Sequence, residues 1–151
     1  MMRQEKALEY FREGYNCCRA TLMPFADIID VDEEVLAKVA GPFGAGISRL
    51  REVCGAVSGM TMAIGMIFGT DDISDKDKKE KQYSLVSELA NKFIAHHCSI
   101  RCRELLKLEN ESDFTIPSDQ LKQYDDGKFC ENLICDMVSM IEDVLRREGI
   151  E

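Results

Sequence analysis

The sequence predicts a single all-α domain, a bundle of about five or six helices with a glycine-rich loop ahead of its central helix. Three observations predict it. Apolar residues recur at helical spacing in several segments, most clearly in the stripe Leu133, Ile134, Met137, Ile141, Val144 and Leu145. No segment alternates apolar and polar residues for long enough to make a dependable strand. The chain is 151 residues long, enough to bury one core and short for two, so residues 1–151 are read as one domain.

Residues 5–11 read as the first helix, with Gly14 breaking it and Asn16 capping a second through Cys17, Cys18, Leu22 and Phe25. Asp30 or Asp32 is placed to cap a third helix carrying Val35, Leu36 and Val39, which Gly41-Pro42 stops. Three closely spaced glycines, Gly41, Gly44 and Gly46, then suit an irregular loop. It leads into a long uncharged run over residues 53–70. Cys54, Gly55, Ser58 and further glycines interrupt that run's hydrophobicity, so it reads as a buried core helix and no membrane insertion is expected. Gly55, Gly59 and Ala63 recur every fourth residue and leave a smooth strip that another helix can approach closely. After a break at Gly69, Ser74 precedes a fourth main helix with Tyr83, Val86, Ala90, Phe93, Ile94 and His97 at helical spacing. A short helix over residues 102–108 follows, then a polar stretch at 109–127 expected to be a surface loop, and a last helix over about 130–147. Arg146 and Arg147 suit the negative end of its dipole.

Charge narrows the function classes. With 28 acidic against 19 basic residues and no basic cluster, the summed field repels phosphate backbones and anionic headgroups, so no nucleic-acid partner is expected. The first residues mix charge with apolar side chains and offer no apolar leader, which predicts a cytoplasmic protein. Seven cysteines are many for this length, and an odd number cannot all pair within one chain. In a reducing compartment such a set points to metal ligation, cofactor attachment or redox chemistry, against a background in which any one free cysteine packs well as a small hydrophobe.

No CxxC pair and no CxxC with a following histidine pair occurs, so a zinc finger is excluded and any thiol site must assemble in three dimensions. Cys98 and Cys102 would share a face if one helix ran through both. Ser99, however, looks like the cap of a fresh helix with Cys102 in its first turn, where the dipole favours thiolate, and this makes Cys102 the candidate nucleophile. Cys102 aligns with Leu105 and Leu106, and Cys130 with Ile134, Met137 and Ile141, so both should point inward. Cys54 heads the glycine-strip helix. On the second helix, Cys18 aligns with Leu22 and Phe25 as the core residue, and Cys17 faces elsewhere.

The words GYNC at Gly14 to Cys17, the glycine loop leading to REVCGAVSG, CRELL at Cys102 to Leu106, and Cys130 on the last helix carry a resemblance. Together they resemble the C_GCAxxG_C_C family of small redox-active proteins, which has four characteristic cysteines and a CGAxxG hexamer, here Cys54 to Gly59. The resemblance covers most of the chain. It implies that Cys17, Cys54, Cys102 and Cys130 form the functional set, while Cys18, Cys98 and Cys135 fall outside the pattern. It brings no substrate, so the partner is expected to be a redox protein or a small molecule.

Two versions of such a site follow. One is thiol–disulfide exchange, with Cys102 attacking and a nearby cysteine resolving. The other is ligation of zinc or an iron–sulfur cluster by Cys17, Cys54, Cys102 and Cys130, since soft sulfur donors select those centres. A different class is a non-catalytic binding module that self-associates through the Gly55-Gly59-Ala63 strip as a homo-oligomer. A cysteine hydrolase would need a base, and His96 and His97 are the only histidines; His97 continues an apolar stripe and reads as a packed residue. Arg49, Arg51 and Glu52 flank Cys54, where a guanidinium could steady a thiolate or an anionic ligand, but they read first as solvent-exposed charges, and Met60, Met62 and Met66 read as core filler.

Overall fold

A computed structural model describes residues 2–151. Its elements are α1 (Arg3–Glu13), α2 (Cys17–Leu22), α3 (Ala26–Ile29), α4 (Glu33–Ala40), α5 (Gly44–Ile47), α6 (Gly55–Phe68), α7 (Lys76–His97), α8 (Cys102–Leu105) and α9 (Lys128–Arg147). Single 3-10 turns fill several connections. The expected all-α domain is therefore what forms, and among the described residues the β geometry is one isolated antiparallel bridge between Val53 and Arg101.

The core follows from two helices of opposite character. α9 is amphipathic, burying Leu133, Ile134, Met137, Ile141, Val144 and Leu145 on one face, and it packs against α1, α2, α6 and α7. Ile134, Met137, Ile141 and Leu145 are wholly excluded from solvent, so truncating any one to alanine would cost about 2–5 kcal/mol. α6 carries no charged side chain and is sandwiched by α2, α7 and α9. Its small-residue strip faces α2 of the same chain. A Cβ on Gly59 would lie 2.8 Å from the Cys18 carbonyl oxygen, and Ala63 packs in one cluster with Cys18 and Leu22. The strip expected to mediate self-association is thus occupied within the chain.

Local signals set several boundaries. Gly14 adopts the left-handed conformation at φ 112° and closes α1, and the Asn16 side chain accepts the Arg19 N–H to start α2. α7 is capped by Asp75, whose carboxylate accepts the Lys78 N–H, rather than by Ser74. Its inner face is Leu85, Leu89 and Phe93, with Val86 and Ala90 packed alongside, while Tyr83 and Ile94 are exposed. α4 likewise buries Leu36 and Ala40 and leaves Val35 and Val39 in solvent. Both stripes are rotated relative to the sequence expectation because one-sided helices tolerate apolar residues at the edge of the buried face.

The glycine-rich loop winds the wrong way. Ala45, Gly46, Ile47, Ser48 and Arg49 all have positive φ, between 49° and 70°, and Arg51 follows at 58°. Left-handed turning places Cβ against the following carbonyl and costs roughly 1–2 kcal/mol per non-glycine residue. Hydrogen bonds hold the turn: Ser48 N–H to Gly44 O, Arg49 N–H to Ala45 O and Glu52 N–H to Gly46 O. At Gly46 the glycine is required twice over. Its φ is positive, and a Cβ there would meet the Cys102 Cβ at 2.7 Å.

Residues 109–127 depart from the expected surface loop. Phe114, Ile116, Leu121 and Tyr124 turn inward and form a small cluster with Cys102, Leu106 and Leu108. The segment thus packs on Cys102, the first residue of α8.

Candidate functional site

The Val53–Arg101 bridge is the organising feature. Cys54 N–H donates to Ile100 O at 2.8 Å and Cys102 N–H to Glu52 O at 2.6 Å, which sets the chain entering α6 beside the chain entering α8. Glu52 reinforces it by pairing with Arg101 at 2.9 Å and Arg103 at 2.6 Å. Two cysteines far apart in sequence therefore become neighbours. Cys17, at the start of α2, and Cys130, in the first turn of α9, join them. Cys17, Cys54, Cys102 and Cys130 all line one cavity of about 630 Å³, whose wall also includes Tyr15, Asn16, Arg51 and Tyr124.

The remaining cysteines lie elsewhere. Cys18 is fully buried in an apolar cluster with its sulfur 3.9 Å from the Met62 sulfur, consistent with the facing read from α2. Cys98 is exposed at the left-handed end of α7, and Cys135 is half-buried on α9. All seven cysteines are free thiols. Neither histidine reaches the cavity: His96 is exposed, and His97 stacks at 4.7 Å on Phe93 and pairs with Asp136 at 2.8 Å.

Cys17 sits where several backbone donors converge. Burial pushes the Cys17 thiol up overall, and the backbone N–H groups of Ala45 in the left-handed turn and of Cys18 and Gly55, at the starts of α2 and α6, offset part of that rise. Gly55 is needed for this approach, since a Cβ there would lie 2.1 Å from the Cys17 sulfur. Burial also raises Cys54, Cys102 and Cys130, with the Cys17 charge a lesser cause in each. Burial, with the Cys130 and Cys17 charges behind it, lifts the Tyr124 phenol to about 12.

Cys102 has an additional partner that sequence reasoning placed in solvent. Arg51 is wholly buried, not exposed. Its guanidinium donates to Phe114 O at 3.0 Å, Ile116 O at 2.7 Å and Ser118 Oγ at 3.0 Å, and lies 3.7 Å from the Cys102 sulfur. These bonds pin the 109–127 segment over the site. The expected source of thiolate stabilisation at Cys102 also changes. The helix starts at Cys102 itself, with Arg101 as the cap residue, while Ser99 Oγ accepts the Arg101 N–H and donates to Glu104. A four-residue helix whose first N–H is already bonded to Glu52 supplies little dipole. Burial therefore raises Cys102 overall, and the Arg51 guanidinium is the largest influence favouring its thiolate.

Four thiols are soft donors of the kind zinc and iron–sulfur clusters take. Among the described residues, however, no three His, Cys, Asp or Glu side chains gather as an ion requires. Among the described residues no helix is long and apolar enough to cross a membrane.

No curated protein and no solved structure matches this chain. A family model does, over residues 15–144, a span that includes the four cavity cysteines and the Cys54-to-Gly59 hexamer. The chain therefore belongs to the C_GCAxxG_C_C family, described as "putative redox-active protein".

Proposed function

We propose that this protein performs thiol–disulfide exchange in the cavity, with Cys102 as the attacking thiol and Cys17 as its resolving partner. The observation that carries the reading is the buried Arg51 guanidinium 3.7 Å from the sulfur of Cys102, in a cavity lined by three further thiols. In the first step the Cys102 thiol gives its proton to solvent, and the thiolate, faced by Arg51, attacks one sulfur of an incoming disulfide. A mixed disulfide forms and one substrate thiolate leaves, taking up a proton. In the second step the Cys17 thiolate, stabilised by backbone N–H groups, attacks the Cys102 sulfur, and the second substrate thiolate leaves. The two protein thiols are oxidised to one disulfide, and the substrate disulfide is reduced to two thiols. Cys17 is favoured as the partner because its sulfur lies against Gly55 at the head of α6, on the wall of the same cavity as Cys102.

The test is anaerobic titration of the reduced protein against glutathione buffers, with the cross-linked peptides mapped by mass spectrometry. A Cys17–Cys102 link should form, and Cys17→Ser should instead accumulate a mixed disulfide on Cys102. Absence of any cavity disulfide across the glutathione range, together with cysteine variants that alter only stability, would leave a helical module without redox chemistry.

A further inference from the structure

We infer that the substrate is a low-molecular-weight disulfide bearing a carboxylate, held at the mouth of the cavity by Arg49; this rests on the exchange reading above. Size is the first argument. Cys54 and Cys102 are 6% and 8% exposed and both line the cavity, so a disulfide must enter it to reach their sulfurs, and one embedded in a folded protein would carry backbone against the wall. About 630 Å³ is instead the room that small-molecule sites commonly offer.

Charge is the second argument. The chain carries a net charge of −9, yet its cavity is lined by two arginines, Arg49 and Arg51, against one carboxylate, Asp119. Among the described residues neither arginine forms an ion pair. The neighbouring Glu52 is already held by Arg101 and Arg103. Arg51 is committed to Cys102 and to the cover over the site, which leaves Arg49, exposed at the rim, to receive a ligand anion. The left-handed turn carries this position, since Ala45, Ser48 and Arg49 all have positive φ and all line the cavity.

The reaction itself balances as before: two protein thiols and one small disulfide give one protein disulfide and two small thiols. The carboxylate takes no part in it and sets only orientation and affinity.

The experiment compares dithiodiglycolate, hydroxyethyl disulfide and cystamine, which are anionic, neutral and cationic, with insulin as a macromolecular disulfide. Each oxidises the reduced full-length protein without oxygen at low ionic strength. Each rate is divided by that of free mercaptoethanol with the same disulfide, which removes differences in leaving group. Dithiodiglycolate should lead hydroxyethyl disulfide by about fivefold or more, as one exposed ion pair allows, with cystamine slowest and insulin slower than the neutral probe. Arg49→Gln should bring the anionic-to-neutral ratio close to one, Arg49→Lys should retain most of it, and added salt should erode it in the wild-type protein. Cystamine as the fastest probe, as the net charge of the whole chain alone would dictate, equal rates for the three, or an unchanged ratio in Arg49→Gln would overturn the charge assignment. Insulin reacting as fast as the neutral probe would overturn the size argument. No reaction with any disulfide would instead sink the exchange chemistry beneath both.

Discussion

Replacing Arg51 with methionine tests the centre of the proposed site, because it keeps much of the side-chain volume and removes the charge. The guanidinium holds the carbonyls of Phe114 and Ile116 and the hydroxyl of Ser118, all partly buried groups that the variant leaves without that donor. Each costs about 1–3 kcal/mol when stripped of a partner, and the low end applies where cavity water can reach. Removing a buried cation that has no carboxylate partner offsets part of the loss. The expected net destabilisation is about 2–3 kcal/mol, read from urea unfolding. The electrostatic effect is separate. A full guanidinium–thiolate pair at 3.7 Å is worth on the order of 4 kcal/mol at an effective dielectric near 20, and water in the cavity screens it further. Loss of that attraction disfavours the thiolate, so the pH midpoint for alkylation of Cys102 must move upward in Arg51→Met. The midpoint, followed by mass spectrometry of the Cys102 peptide, is the right readout, since an opened cover alone would hydrate the thiol and move its titration downward, opposite to the loss of the cation. A midpoint that stays in place or falls while stability drops would show that Arg51 serves only to anchor residues 109–127.

Buried thiols also make a stability prediction against pH. Burial pushes Cys18 up to about 12 and raises Cys17, Cys54, Cys102 and Cys130, so the folded chain binds these protons more tightly than the unfolded chain, whose thiols titrate near 8.5. That stability is complete below about pH 8.5 and is lost as pH rises toward the folded values. Between about pH 8.5 and 9.5 each thiol that stays protonated only when folded removes about 1 kcal/mol, and Cys18 is the surest contributor. Urea midpoints measured with a phosphine reductant should fall across that interval, and a flat response would contradict the burial of the thiols. Two glycines of α6 should respond to alanine with opposite signs. A Cβ at Gly59 would crowd the Cys18 carbonyl at 2.8 Å and the Thr21 Cβ at 2.9 Å, whereas at Gly65 the nearest atom is the flexible Gln82 Oε1 at 3.9 Å. Gly59→Ala should lose about 1–3 kcal/mol by overpacking, and Gly65→Ala should gain about 0.5–1 kcal/mol from helix propensity. The same sign for both in thermal unfolding would refute the close packing of α6 on α2.

Helix periodicity made much of this architecture legible. Cys18 shares a face with Leu22 and Phe25, and that alone separates the packed cysteine from Cys17 on the cavity side. Asn16 and Gly14 marked the α1–α2 break by side-chain chemistry that works over a few residues. What stayed hidden depends on long-range contacts. Arg51, between Leu50 and Glu52 in a charged word, carries no local sign of burial, because the oxygens that receive it lie more than sixty residues away. Ala45, Ile47, Ser48 and Arg49 have no preference for positive φ, so the glycines announced a loop without its handedness. The polar average of residues 109–127 masked Phe114, Ile116 and Leu121. Three apolar residues in an otherwise polar stretch were the available signal that the segment folds back.

These concealed features occupy one place. The left-handed turn and the buried cation are each unfavourable in isolation, and both border the Cys17–Cys102 side of the cavity. Their geometric effects are complementary. The turn places Ala45 on the cavity wall with Cys17, where its N–H favours that thiolate, and brings the bare Cα of Gly46 against Cys102, while its continuation delivers Arg51 to the Cys102 sulfur. A right-handed turn of the same length would send these groups in other directions, separating the amide that favours one thiolate from the guanidinium that favours the other. The bridge between Val53 and Arg101 and the clamp of Glu52 on Arg101 and Arg103 hold the far end of the turn against relaxation. Local preference and global fold thus disagree where thiol chemistry needs fixed donors, and agree along α9, where only packing is at stake.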